Sequence, residues 1–156
     1  MIVCVTGTPA TGKTVVAKKI AKQIKANYID INKIISKHKL IDGYDKKRKS
    51  KIIDIKKLNK VLIDLIKKSK NNLVIDSHLS HYLNKKYVDL CIVTKCDLKV
   101  LQERLKKRGY SKDKIRENLD AEIFDICLNE AKEKGHNILV VDTTKGLKSL
   151  NFLDNI

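Results

Sequence analysis

Residues 2–16, Ile2-Val3-Cys4-Val5-Thr6-Gly7-Thr8-Pro9-Ala10-Thr11-Gly12-Lys13-Thr14-Val15-Val16, decide how the rest of this 156-residue chain is read. Residues 7–14 match G-x-x-x-x-G-K-[ST] in full. The five residues before them are β-branched or apolar, as in a buried parallel strand. After them, Val16, Ile20 and Ile24 recur at helical spacing, and Val15, Ala17 and Ala21 widen the apolar stripe. Strand, glycine loop and helix in that order turn backbone N–H groups and a helix N-terminus toward a polyphosphate. Gly7 and Gly12 permit backbone conformations that a side chain would obstruct. Lys13 is placed to reach β- and γ-phosphates, and the Thr14 hydroxyl to ligate Mg²⁺. The segment therefore predicts a P-loop site for a nucleoside triphosphate.

Working outward, β-type runs recur at 2–6, 27–29, 73–75, 88–93 and 137–141. Helical patterns separate them at 13–25, 55–69, 97–107 and about 112–134, and a last amphipathic piece begins near Leu147. Alternating strands and helices predict an α/β fold, a five-stranded parallel sheet flanked by helices with right-handed crossovers. With no repeat or low-complexity linker, residues 1–156 read as a single domain. Two segments break the rhythm. Residues 30–54 carry a short helix, then Asp42-Gly43-Tyr44-Asp45 and the basic run Lys46-Lys47-Arg48-Lys49. Residues 107–115 form a basic turn between two helices. Charged excursions from a compact core tend to be lids and binding loops, although a lysine run is most often a solvated face.

Bulk composition narrows the classes. A hydrophobic content of 42% supports a globular core, and no apolar run is long enough to span a membrane. The first strand begins at once, leaving no room for a targeting peptide, so a soluble cytoplasmic protein is expected. The net charge of +16, from 34 Lys and Arg against 18 Asp and Glu, favours anionic partners, nucleotides and RNA among them. Genome composition or life at high temperature would also enrich lysine. Aromatics make up 4% of the chain, too few for base-stacking platforms. Cys4, Cys91, Cys96 and Cys127 form no C-x-x-C pair; Cys4 and Cys91 read as core residues within strands.

A phosphate loop alone does not separate a kinase from a GTPase. The GTPase reading needs an N-K-x-D motif. The nearest candidate, Thr94-Lys95-Cys96-Asp97, lacks the Asn and reads better as a strand end followed by helix-capping Asp97. Leu73-Val74-Ile75-Asp76-Ser77-His78 resembles a Walker B strand end, where Asp76 would help to hold Mg²⁺. His78 falls at the carboxyl end of the same strand, the edge where parallel α/β sheets bind ligands. There it could orient a water or an acceptor phosphate, or move a proton. Arg104 and Arg108, at i and i+4, share a helix face beside the second excursion. Guanidinium groups suit the spread charge of a transferring phosphoryl group.

These features together resemble the small adenylate-kinase-like family often called adenylate kinase isoenzyme six, in its archaeal type. The resemblance runs through most of the chain: GTPATGKT, Ile75-Asp76-x-His78, Asp42-Gly43-Tyr44-Asp45, Glu103-Arg104-Leu105-x-x-Arg108-Gly109-Tyr110, Asn118 and Glu122-Ile123-Phe124. It implies a Mg·ATP-dependent nucleoside monophosphate kinase, with AMP the favoured acceptor, ATPase activity alongside, and a role in small-ribosomal-subunit maturation. By resemblance, residues 30–53 are the monophosphate-binding region and 107–117 a short lid over ATP. Pro9, Ala10, Thr11, Gly12, Lys13, Thr14 and Val15 wrap the phosphates, and Thr14 and Asp76 serve the metal. Lys13, Asp76, His78, Arg104 and Arg108 form the catalytic set, with Arg108 on ATP. The implied partners are ATP, a nucleoside monophosphate, and a small-subunit ribosomal protein or pre-rRNA; the implied state is a monomer or weak dimer. A competing reading is an ATP-gated ribosome assembly factor with little kinase activity. A shikimate-kinase-like activity gains nothing from the D-x-H and R-G-Y features. Ribosomal proteins being basic, direct contact with one would need an acidic face such as Glu117, Asp120, Glu122 and Asp125 on the long helix. The chain departs from the family at Ala10, often glycine, at Val15, often threonine, and at Ser36, where relatives can carry an arginine for the acceptor phosphate. Lys37 or Lys39 would have to substitute as point charges.

Overall fold

The computed structural model describes residues 1–147, and the amphipathic piece expected beyond Leu147 lies outside them. Five parallel strands form the central sheet: β1 (Ile2–Gly7), β2 (Asn27–Asp30), β5 (Leu73–Asp76), β6 (Leu90–Lys95) and β7 (Ile138–Asp142), in spatial order β2-β5-β1-β6-β7. All five strands predicted from the sequence are present. The order reverses around β1, so the crevice beyond its carboxyl end is where a ligand of this architecture would sit.

The pleat explains the two-sided core. Val3 and Val5 face one layer with Val16, Ala17 and Ile20 of α1 (Lys13–Gln23). Cys4, between them, faces the other with Ile31 and Ile35 of α2 (Ile31–Lys37) and Leu58 and Leu62 of α3 (Ile55–Lys68). Alternation of this kind fixes register, because a one-residue slip would exchange the layers. Leu58 and Leu62 are fully buried, so truncating either to alanine is expected to cost about 2–5 kcal/mol. Cys4 and Cys91 are buried core residues, as their strand positions implied.

Helix starts follow local chemistry. The Asp54 carboxylate accepts from Lys57 N at 3.0 Å to cap α3. Asp97 caps α4 (Leu98–Lys107), accepting from Lys99 N at 2.9 Å, which bears out the strand-end reading of 94–97.

Two expectations are corrected. The helix predicted over 112–134 is two helices, α5 (Lys112–Ile123) and α6 (Ile126–Glu133). Asp125 between them is left-handed, φ 52, a conformation Asp tolerates better than most residues. Its carboxylate also pairs with the Lys95 ammonium of β6. The apolar periodicity continues across this break, so the sequence pattern did not reveal it. The first excursion holds, beyond its short helix, an antiparallel hairpin of β3 (Ile41–Asp45) and β4 (Ser50–Ile53), with a register irregularity between Ile41 and Gly43. The basic run is its turn: Asp45 Oδ1 accepts from Lys47 N and Arg48 N at 2.9 and 3.0 Å.

Candidate active site

The phosphate loop is held from behind by hydroxyls. Thr11 Oγ1 donates to the Thr8 carbonyl at 2.7 Å and lies 2.7 Å from Thr94 Oγ1, while Thr143 Oγ1 donates to the Thr11 carbonyl at 2.6 Å. Gly7 has no alternative: at φ 142, an added Cβ would lie 2.4 Å from Thr94 Oγ1 and 2.6 Å from the Thr94 carbonyl. Gly12, at φ 87, opens α1. Ala10 adopts φ 68 within the loop. Left-handed backbone costs an L-residue about 1–2 kcal/mol. Its methyl is buried with Cys96, Leu101 and Leu105, which offsets roughly 0.8 kcal/mol of that.

Lys13 Nζ donates to the Thr8 carbonyl at 2.9 Å. Burial pushes its ammonium down to about 8. Cys127, Asp76 and Glu122 act in the opposite direction, and Arg108 adds to the lowering. An ammonium so poorly solvated has much to gain from a polyphosphate.

Asp76, buried at the end of β5, accepts from the Thr14 hydroxyl at 2.7 Å and from the Tyr28 hydroxyl at 2.8 Å, both on Oδ2. Burial and the bond to Asp76 raise the Tyr28 phenol well above its ordinary range, so it stays a donor. Hydroxyl and carboxylate are hard oxygen donors suited to Mg²⁺. They are too few for a closed protein cage, which matches a cation that keeps its waters and takes phosphate oxygens. Among the described residues no group of three His, Cys, Asp or Glu is disposed to hold a metal alone.

His78 opens onto the same cleft. Crowding by surrounding atoms, then the Lys13 ammonium and His81, hold its pKa below the ordinary histidine range, so the ring, although exposed to solvent, is neutral at pH 7. Three residues on, His81 is buried. Its Nδ1 lies 2.7 Å from Thr6 Oγ1 and its Nε2 2.8 Å from Glu130 Oε2, and Tyr82 Oη donates to Glu130 Oε1 at 3.0 Å. His81 thus ties β1 to α6 from within the core.

The two arginines share a face of α4, as their spacing predicted. Arg108 lines the main cleft, whose volume is about 910 Å³, and also borders an adjoining pocket of about 390 Å³. Arg104 donates to the Thr143 carbonyl at 2.9 Å and Thr143 Oγ1 at 3.2 Å. It lines the adjoining pocket, with Ala10, Gly12, Val15 and Thr143, and not the main cleft.

Lys13, Thr14, Asp76, His78 and Arg108 all face the main cleft, together with Pro9, Ala10, Gly12 and Val15; Thr11 is buried beneath the loop. On the opposite wall stand Asn32 and Lys33 of α2 and Arg48 of the hairpin. Ser36, Lys37 and Lys39 are exposed and do not line the cleft, although Ser36 shares the helix face of Asn32 and Lys33. Arg48 Nε lies 3.5 Å from Glu117 Oε1 of α5, joining the hairpin tip to the second excursion. The expected acidic face is not formed: Asp120 pairs with Arg116 at 3.0 Å, Asp125 with Lys95, and Glu122 is buried behind the phosphate loop.

Sequence reasoning missed Tyr28, His81 and Thr143. Thr143 stands just past β7 on the carboxyl edge of the sheet, and applying that edge rule to every strand would have found it. Tyr28 and His81 carry no motif; their roles come from tertiary placement.

A protein-family profile described as AAA domain matches residues 3–125. A Methanocaldococcus jannaschii protein, whose name assigns it provisionally to the adenylate kinases, is 40% identical over 92% of this chain and 77% of its own length. The adenylate kinase isoenzyme 6 homolog of Dictyostelium discoideum is 37% identical over 90% of this chain and 79% of its own. The chain belongs to this adenylate-kinase-like family. In fold it is also similar to the Bacillus subtilis YorR protein, solved with phosphorylated GDP, at TM-score 0.57 and 15% identity, covering 92% of this chain and 86% of that one. The family membership inferred from the D-x-H and E-R-L-x-x-R-G-Y patterns is confirmed, as is the P-loop α/β fold. No helix among the described residues is long and apolar enough to cross a membrane.

Proposed function

We propose that this protein is a Mg·ATP-dependent nucleoside monophosphate kinase, with AMP its favoured acceptor and ATP hydrolysis a side reaction. One observation carries the reading. A single cleft of about 910 Å³ has a phosphate-loop wall with Lys13, Asp76, His78 and Arg108, faced by a second wall bearing Lys33 and Arg48. A hydrolase needs room for one nucleotide and a water, whereas a second cationic wall suits a second phosphate. The names of the relatives point the same way.

In this reading the loop amides from Pro9 to Val15 and the N-terminus of α1 hold the donor phosphates. The acceptor phosphate oxygen attacks the γ-phosphorus, the bond to the β–γ bridging oxygen breaks, and both products leave as diphosphates. Lys13 follows the charge that builds on the β–γ oxygens, and Arg108 stabilises it from the lid over residues 107–117. Thr14 and Asp76 would hold Mg²⁺, which would supply charge neutralisation at the phosphates. Tyr28 fixes the Asp76 carboxylate in place. Neutral His78 donates a hydrogen bond to the reacting end without repelling Lys13. Arg104 and the 390 Å³ pocket flank the base of the donor. Residues 30–53 carry the acceptor, and the short lid, which excludes water incompletely, accounts for some hydrolysis. Residues 1–156 act as one domain.

The basic hairpin turn at the cleft rim favours a second role alongside. Lys46, Lys47, Arg48 and Lys49 would bring a small-subunit ribosomal protein or pre-rRNA to a surface that changes with nucleotide state, in a cytoplasmic monomer or weak dimer. With its acidic residues paired internally, RNA is the better partner of the two.

Two experiments test these roles. Mg·ATP is supplied with AMP, CMP, GMP, UMP or water alone, and diphosphate is resolved from free phosphate; AMP is expected to give the fastest diphosphate formation. Pull-downs in ATP, ADP and nucleotide-free states across a salt series test the second role. Binding indifferent to nucleotide and lost at moderate salt would reduce it to nonspecific polycation behaviour.

A further inference from the structure

Glu122 is a buried carboxylate in a strongly basic chain, and its three side-chain contacts tie the phosphate loop to the structure behind it. Thr8 Oγ1 donates to Glu122 Oε2 at 2.6 Å; Cys96 N donates to Oε1 at 3.0 Å; and Lys95 Nζ lies 3.0 Å from Oε1. Three of the carboxylate's four lone-pair sites are thereby engaged. The residue it grips most closely is Thr8, whose carbonyl accepts from Lys13 Nζ at 2.9 Å and from Thr11 N and Oγ1 at 3.2 and 2.7 Å. A continuous path therefore runs from Glu122 through the Thr8 side chain and carbonyl to the Lys13 ammonium.

The far end of that path lies in the second excursion. Glu122 belongs to the last turn of α5, while Lys114, Glu117 and Asn118 in the same helix line the cleft, and Ser111 caps the helix start. At 1.5 Å rise per residue, Lys114 and Glu122 are separated by about 12 Å along one rigid rod. The left-handed Asp125 ends the rod one turn later and shares the Lys95 ammonium with Glu122. Helix α5 thus spans from cleft rim to loop floor.

We propose that Glu122 is a positioning residue: through Thr8 it sets the placement of Lys13, and it ties the phosphate loop to the lid helix α5. This rests on the kinase reading for its effect on turnover, but not for its effect on ATP binding. A displacement of the lid helix would be felt at Thr8, because the carboxylate has no slack in its three contacts. Thr8 is read here as a side chain with a defined partner, although the phosphate-loop pattern leaves its position unspecified.

The test uses four variants of the full chain: Thr8→Val, Thr8→Ser, Glu122→Gln and the double Thr8→Val/Glu122→Gln. Thr8→Val keeps the side-chain volume and the Lys95 and Cys96 contacts of Glu122 while removing the one link to the loop. Its turnover is expected to fall roughly tenfold, the usual consequence of losing a hydrogen bond to a charged partner at a reacting site, with the melting temperature little changed. Thr8→Ser restores the hydroxyl and is expected to recover most of the rate. The double variant is expected to turn over no more slowly than Thr8→Val, since the hydroxyl through which Glu122 acts is already gone. A second readout is the dissociation constant for Mg·ATP at one fixed pH, expected to rise several-fold in Thr8→Val and to return in Thr8→Ser; a bystander that only supports folding would leave it in place while lowering the melting temperature. Wild-type turnover in Thr8→Val, a further loss in the double variant beyond that of Thr8→Val, or wild-type ATP affinity in Thr8→Val would overturn the proposal. Failure of the wild type to phosphorylate any monophosphate would instead overturn the kinase reading, and the ATP-affinity arm would still decide the role of Glu122.

Discussion

Lys13 makes ATP binding a proton-linked event. Its ammonium is held at about 8 by burial, against the partial support of Cys127, Asp76 and Glu122. A bound triphosphate restores the missing counter-charge, so the bound-state value is expected to return toward the ordinary lysine value of about 10.4. The sign follows from which state holds more protons. The complex keeps the proton above pH 8 and the free protein does not, so binding takes up a proton and affinity falls as pH rises. With these two values, uptake is about 0.2 proton at pH 7.5 and about 0.9 at pH 9.5, and affinity weakens about twentyfold across that interval. Folding stability moves the other way. The folded value lies below the unfolded one, so the lysine penalty is fully present below pH 8 and is relieved as pH rises from 8 toward 10.4. Calorimetric titration of Mg·ATP in two buffers of different ionisation enthalpy measures the proton uptake, and Lys13→Met subtracts other groups. Equal uptake at both pH values, or an uptake unaffected by Lys13→Met, would refute the reasoning.

Three further outcomes follow from the site. His78→Ala is expected to lower turnover about tenfold or more while leaving the KM for ATP within a few-fold, as steady-state kinetics would show; loss of ATP affinity with turnover intact would make His78 a binding residue. Tyr28→Phe removes one charge-assisted bond to Asp76, a loss of about 1.5–3 kcal/mol at the carboxylate, and is expected to raise the Mg²⁺ concentration needed for half-maximal activity. An unchanged Mg²⁺ titration would separate Tyr28 from the metal site. Ser36→Arg places a guanidinium on the α2 face that carries Asn32 and Lys33, so the KM for AMP is expected to fall and the ratio of transfer to hydrolysis to rise. No change in either would show that Lys33 and Arg48 already suffice for the acceptor phosphate.

The sheet was legible because its strands are short runs of Ile, Val, Leu and Cys bounded by polar turns, and because the glycine loop fixes which strand comes first. The carboxyl-edge rule likewise brings Asp76 and His78 to the loop from the sequence alone. Three features were not legible, each for a physical reason. The β3–β4 hairpin alternates poorly, with Asp42, Lys51 and other polar residues among its apolar ones, so no period marked it. The break at Asp125 is set by tertiary contacts to Lys95, which helical periodicity does not record. Glu122 read as part of a surface stripe because spacing places residues on a face without saying what covers it. It lies buried against Thr8, 114 residues away in the chain.

The most direct test of the kinase reading is the fate of the γ-phosphoryl group of labelled ATP with Mg²⁺ and saturating AMP. Label is expected to appear in ADP faster than in free phosphate, and Lys13→Ala is expected to abolish both. Label found only in free phosphate, at a rate indifferent to AMP, would contradict it.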